Sequence, residues 1–167
     1  MPTDIKTGQP IYSGAPGVGL RNVGSYQVSG EPWISGSEEQ AASKVKRYTF
    51  PFVSREVTVS NFGAAAIRVH FVSGSGHTFT TGDQAVAQSV TSDVYVRLHY
   101  VPVSGSGTTT TFRAKAKEVY VTTTAAGVGT YRVMADLTNV PTKRMYHLTG
   151  SGHTHAGSAV GADVPEI

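Results

Sequence analysis

Between Lys44 and Thr149 the apolar side chains recur mostly at every second position, in short runs separated by turn-forming residues. That spacing predicts strands, each hiding one face. Tyr48, Phe50 and Phe52 share one face of the first run, and Val57 and Val59 then alternate with Glu56, Thr58 and Ser60. Asn61-Phe62-Gly63 predicts a turn, after which Ile67, Val69 and Phe71 line a strand opposite Arg68 and His70. The longest alternation sets Val94, Val96, Leu98 and Tyr100 against Tyr95, Arg97 and His99, and predicts a further strand. Tyr131, Val133, Ala135 and Leu137 repeat the device. From Phe112 to Val121 the phase changes: Phe112, Ala114 and Ala116 share one parity, Val119 and Val121 the other, which a β-bulge near Lys117 or Glu118 would reconcile.

The flanks read differently. Residues 1–43 hold 7 of the 19 Gly and 4 of the 8 Pro, in stretches such as Gly14-Ala15-Pro16-Gly17 that break regular elements. They predict an extended N-terminal arm. Residues 150–167 are rich in Gly and Ala and poor in large apolar groups, which predicts a flexible C-terminal tail. Residues 44–149 are then the domain, an all-β sandwich or jelly roll of about seven to nine antiparallel strands. Three Ser-Gly-Ser-Gly-type loops, at 73–76, 104–107 and 149–152, follow predicted strands as recurrent linkers.

Composition sharpens this picture. Among 167 residues there are 22 Val and 20 Thr against 4 Leu, a balance that favours pleated surfaces over long helices. The absence of Cys excludes disulfides, thiolate metal sites and a Cys nucleophile. The longest small-apolar run, Ala64 to Ile67, is far short of the ~20 residues of a membrane helix, so a soluble chain is expected. The net charge of +3 divides unevenly: residues 1–43 carry −2, residues 44–148 carry +7 and residues 149–167 carry −2. An anionic partner suits the middle, but its basic residues are scattered and no RNA-binding signature is present, so nucleic acid is not the expected partner. One local concentration stands out, the stripe Arg113, Lys115 and Lys117. It fits either docking of an acidic neighbour or the lysine protection common on exposed edge strands.

Tests for catalysis fail one after another. No Ser has Gly at both −2 and +2, the Gly14–Gly24 stretch lacks the Gly-Lys-Ser/Thr of a phosphate loop, and the domain's acids are scattered among basic residues. No enzyme and no cofactor are expected. The single metal candidate is Gly152-His153-Thr154-His155. In an extended chain His153 and His155 face the same way, and three copies meeting on an axis would bring six imidazoles together, resembling trimeric phage fibre tips. His77 is a further candidate ligand.

The residues Leu20-Arg21-Asn22-Val23-Gly24-Ser25-Tyr26-Gln27-Val28-Ser29-Gly30-Glu31-Pro32-Trp33, followed by Tyr48-Thr49-Phe50-Pro51-Phe52-Val53-Ser54-Arg55-Glu56-Val57, resemble small virion proteins of tailed bacteriophages, notably marine ones. In those proteins a Val-Gly-Ser-Tyr-Gln-Val-Ser-Gly-x-Pro arm precedes a β domain. The resemblance implies a head decoration or cement protein in the virion, assembled in the host bacterial cytoplasm, with the major capsid protein and its own copies as partners. A trimer is expected, because closed rotational assembly hides edges. The arm carries Tyr12, Tyr26, Trp33 and Ile34, apolar groups with no local partner that would be buried by laying the arm on a neighbour or back on its own sandwich. A tail fibre, spike or adaptor role is the alternative, with the His-x-His pair as its argument. A carbohydrate-binding module, using Tyr95 and Trp33 as stacking contacts, is a third.

Overall fold

The computed structural model describes residues 30–74, 77–79, 85–87, 92–124 and 127–145. Among the described residues eight strands succeed one another: β1 (Glu31–Gln40), β2 (Lys44–Asn61), β3 (Ile67–His70), β4 (Ala85–Ala87), β5 (Val101–Val103), β6 (Thr108–Phe112), β7 (Ala116–Thr123) and β8 (Gly129–Pro141). A one-turn helix, α1 (Asp93–Val96), separates β4 from β5, and a 3-10 turn at Thr142–Arg144 follows β8. All pairings are antiparallel and join into one sheet in the order β1-β8-β2-β7-β3-β5. The all-β expectation and the number of strands are both met.

The sheet is organised by the 18-residue β2. Its first half, around Lys44–Thr49, lies between β4 and β7, whereas its second half, Val57–Asn61, lies between β6 and β8. The register shifts between these halves, around Pro51, which has no N–H to give to a ladder. Two half-sheets result, β1-β8-β2-β6 and β4-β2-β7-β3-β5, with β2 in both. They pack inner face to inner face: Trp33 of β1 meets Phe50 edge-on at 5.0 Å and Tyr48 at 6.1 Å, and Tyr131 of β8 meets Tyr48 at 6.2 Å. Val57, Val59, Val133, Ile67, Val119 and Val121 fill the space between. Each fully buried valine or isoleucine contributes roughly 1.5–3 kcal/mol relative to an exposed one.

Buried polar atoms in this core are paired. Tyr48 donates to the Tyr131 hydroxyl at 3.1 Å, Tyr131 donates to Gln40 Oε1, and Gln40 Nε2 donates to the Lys44 and Val121 carbonyls. Asn61, fully buried at the end of β2, donates through Nδ2 to the carbonyls of Ala65, Val103 and Ser104 and accepts from the Gly63 amide. The sequence-predicted turn at 61–63 is therefore held by its own asparagine.

Three expectations need correction, and a fourth is met. Among the described residues the sheet begins at Glu31, so residues 31–40, read as the end of the arm, are a strand paired with β8 and belong to the domain, as folding back on the sandwich would have them. The run 94–100 is not a strand. Val94 and Tyr95 are adjacent and both buried, and one helical turn points both at Val45 and Tyr120, which a strand cannot do. The turn closes with the His99 amide on the Val94 carbonyl at 2.8 Å and the Leu98 amide on the Tyr95 carbonyl at 3.3 Å, a Schellman motif with Leu98 at φ 57°. The phase change near 117 lies where the sequence put it: the β2–β7 register shifts between Glu118, opposite Thr49, and Ala116, opposite Ser54, so that Ala116 and Val119, of opposite parity, both reach the main core. Finally, His70 sits inside, because both faces of the β7-β3 region are covered.

Candidate functional site

The strongest electrostatic perturbations gather on the outer face of the second half-sheet, beneath α1. Alternation places Tyr120 and Thr122 of β7 and His70 of β3 on this face, opposite the side that Val119, Val121 and Val69 give to the main core. The His70 ring stacks on Tyr120 with centroids 5.2 Å apart and planes 10° apart, and Tyr95 from α1 meets it edge-on at 5.9 Å. His77 and Phe79 complete the cover against Tyr95 and Tyr120.

Hydrogen bonds fix the protonation state of this cluster. His70 Nδ1 lies 2.8 Å from the Val72 carbonyl, which only accepts, so the neutral ring carries its proton there. Nε2 must then accept from the Thr122 hydroxyl at 2.9 Å, and Thr122 in turn accepts from the Tyr95 hydroxyl at 2.7 Å. Burial pulls the His70 pKa from 6.5 to about 4, a shift opposed by the Val72 bond and reinforced by His77. Burial likewise pushes Tyr95 up to about 12, against the Thr122 bond and the nearby Arg68. Tyr120 is raised, chiefly by burial and then by Glu118. His70 and Tyr95 are both spent on Thr122, Tyr120 is engaged by Glu118 and Arg47, and Arg68 lies over Tyr100 at 4.7 Å and Tyr95 at 5.6 Å. The arrangement locks α1 onto the sheet.

The residues expected to meet partners are distributed differently. Trp33 faces inward against Tyr48 and Phe50, and Tyr95 is buried, so the aromatic contacts of a carbohydrate-binding reading are both occupied by the protein's own core. Ile34, its neighbour on the opposite face of β1, is 59% exposed. Its cross-strand partner Met134 is 42% exposed, and the same row continues through Thr58 to Thr111, which share a hydroxyl hydrogen bond of 3.0 Å. Ser60 and Thr109 form a second such pair at 2.9 Å. The outer face of the first half-sheet thus presents a small apolar pair beside a hydroxyl-lined surface.

Arg113 and Lys115 are exposed in the connection between β6 and β7, and Lys117 is half-buried in β7. Arg113 keeps one loose ion pair with Glu56 at 3.6 Å while its side chain stays 91% exposed. Lys117 lies in the part of β7 that β2 flanks on one side, β3 joining only from Tyr120 onward, and Arg113 and Lys115 follow directly on β6, which pairs with β2 alone among the described residues. β1, which pairs only with β8 among the described residues, is also an edge. Its exposed charges are all acidic, Glu31, Glu38 and Glu39.

Tyr12, Tyr26, His153 and His155 lie outside the described residues. Of the sequence-expected residues the fold therefore places Trp33 and Ile34 on opposite faces of one edge strand and the basic stripe beyond β6, running from the β6–β7 connection into β7. The His70–Thr122–Tyr95 cluster escaped the sequence reading. Its signal was present in Glu118-Val119-Tyr120-Val121, a run with large apolar groups at both parities, as expected of a strand covered on both sides. Among the described residues no group of three or more His, Asp or Glu is placed to hold a metal ion. Compared with known proteins, the chain matches no family model and no curated protein.

Proposed function

We propose that the chain is a non-enzymatic structural protein of a tailed-bacteriophage particle, which decorates or cements the head by contacts with the major capsid protein and with neighbouring copies of itself. The observation that carries this reading is β1, a ten-residue edge strand that continues directly back into the Tyr12- and Tyr26-bearing segment. An edge strand offers unpaired backbone groups, and a preceding chain with large aromatics but little else to build a core needs a second surface. The resemblance of residues 20–60 to small phage virion proteins supports the same assignment. The perturbed His and Tyr groups support it too, since their hydrogen bonds are used in packing.

Copy number in purified particles, measured by quantitative mass spectrometry and scaled to the major capsid protein, tests the proposal. A count near that of the capsid protein is the expected result. A few to a few tens of copies would transfer the chain to the tail, and His153 and His155 would then be the first residues to mutate. Deleting residues 1–29, which leaves β1 in place, is expected to abolish binding to the particle.

A further inference from the structure

We propose that the acidic edge strand β1 of one copy takes the Arg113–Lys115–Lys117 stripe of the next, joining copies head to tail. The proposal rests on the reading of the chain as a self-associating particle protein and names the surface it uses. Three observations lead to it. First, β1 is a ten-residue strand paired on one side only among the described residues, and an unpaired edge of that length is a standing template for association. Beside it lies the exposed apolar pair Ile34 and Met134, able to lose water in a contact.

Second, the charges select the partner. Glu31 stands at one end of β1 and Glu38 and Glu39 near the other, all exposed. Antiparallel pairing of β1 with its own copy about a twofold axis would bring Glu31 of each against Glu38 and Glu39 of its partner, and like charges so juxtaposed are repulsive. A basic surface fits instead. Arg113 and Lys115 are exposed cations outside any strand, and Arg113 makes a 3.6 Å contact with Glu56 while its side chain stays 91% exposed.

Third, the two surfaces cannot meet within one molecule. In the first half-sheet β8 and β2 stand between β1 and β6, the strand that leads into the stripe. At ~4.8 Å per strand that is about 14 Å, beyond the reach of a direct ion pair. Different patches meeting between copies make a heterologous contact, which closes into a ring when the rotation between neighbours divides a full turn.

The test is sedimentation velocity on the purified full-length chain over a range of concentrations at low salt, without particles, so that failure here leaves the particle assignment standing. Glu38→Lys with Glu39→Lys reverses the edge; Arg113→Glu with Lys115→Glu reverses the stripe. Each double variant is expected to weaken association by about tenfold or more, with thermal melting unchanged, because both sites are on the surface. Placing all four substitutions in one chain restores complementary signs and is expected to restore association. Added salt should weaken the unaltered protein's association, since exposed charges more than ~8 Å apart are screened at physiological ionic strength. The proposal is overturned by a chain that stays monomeric throughout, by double variants that associate like the parent, or by a fourfold variant that is no better than either double.

Discussion

His70 is a neutral base held where water cannot reach, and its stability consequence has a definite sign. Its pKa is 6.5 unfolded and about 4 folded, so between those values the unfolded chain binds the extra proton. Stability is therefore expected to fall as pH drops from about 6.5 to about 4, by roughly 3 kcal/mol for this group, and to be flat on either side with respect to it. Urea unfolding at pH 7, 5.5 and 4.5 reads the slope, and His70→Gln should remove it. Thr122→Val severs the same chain without changing its volume; leaving His70 Nε2 and the Tyr95 hydroxyl unpaired is expected to cost about 1–3 kcal/mol. Leu98 is a residue out of place in another way. It is 70% exposed and holds φ at 57°, so Leu98→Gly loses little packing and relieves a left-handed backbone. A gain of about 0.5–1 kcal/mol is expected in the same assay.

Elements owe their positions to close approaches as well as to hydrophobic alternation. In β1 a Cβ placed on Gly36 would stand 2.5 Å from the Tyr131 carbonyl oxygen, so the strand seats on β8 only with glycine there. Gly36→Val is expected to lift this end of β1, costing about 1–3 kcal/mol. Trp33, the one tryptophan, reports the event: its emission should shift to the red, and the amides of residues 33–37 should exchange faster. The connection from β5 to β6 is similarly specified. A Cβ on Gly105 would lie 2.2 Å from the Ala64 carbonyl oxygen, and Ser106 and Gly107 turn the chain at φ 61° and 82°. The short β5, with Pro102 in its centre, is an edge of only three residues, whereas β1 offers ten. The longer edge offers the more unpaired backbone groups to a second copy.

For the whole molecule, the decisive feature is that one strand belongs to two half-sheets. Because β2 passes through both, the core cannot be assembled by halves, and β1, which adds Trp33 to it, is part of the same unit. Removal of residues 1–43 is therefore expected to destabilise the domain by at least about 3 kcal/mol, the scale of losing a large buried aromatic. Removal of residues 1–29 separates loss of particle binding from loss of fold. The surface divides by charge across the same architecture, acidic along β1 and basic beyond β6, so charge distribution and strand order together give the molecule a polarity from one side of the first half-sheet to the other.

Alternation of valine and aromatic residues determined that the chain is all-β, and it located β2, β3 and β8 with their inward residues, because a period of two is a local property that burial on one side enforces. Asn61 and its turn were legible for the same reason, as the side chain caps its own backbone. Tertiary structure alone decided three things. Residues 94–100 alternate like a strand but form a helical turn, because Val94 and Tyr95 must both reach a face of the sheet that only the assembled fold creates. Trp33 belongs to the core and not to a free arm, because its partners Tyr48 and Phe50 come within reach only when β1 pairs with β8 and β8 with β2. The places of the acidic strand at an edge and of the basic stripe beyond β6 followed from the order of strands in space, since edge and interior are properties of the sheet that no single strand carries in its sequence.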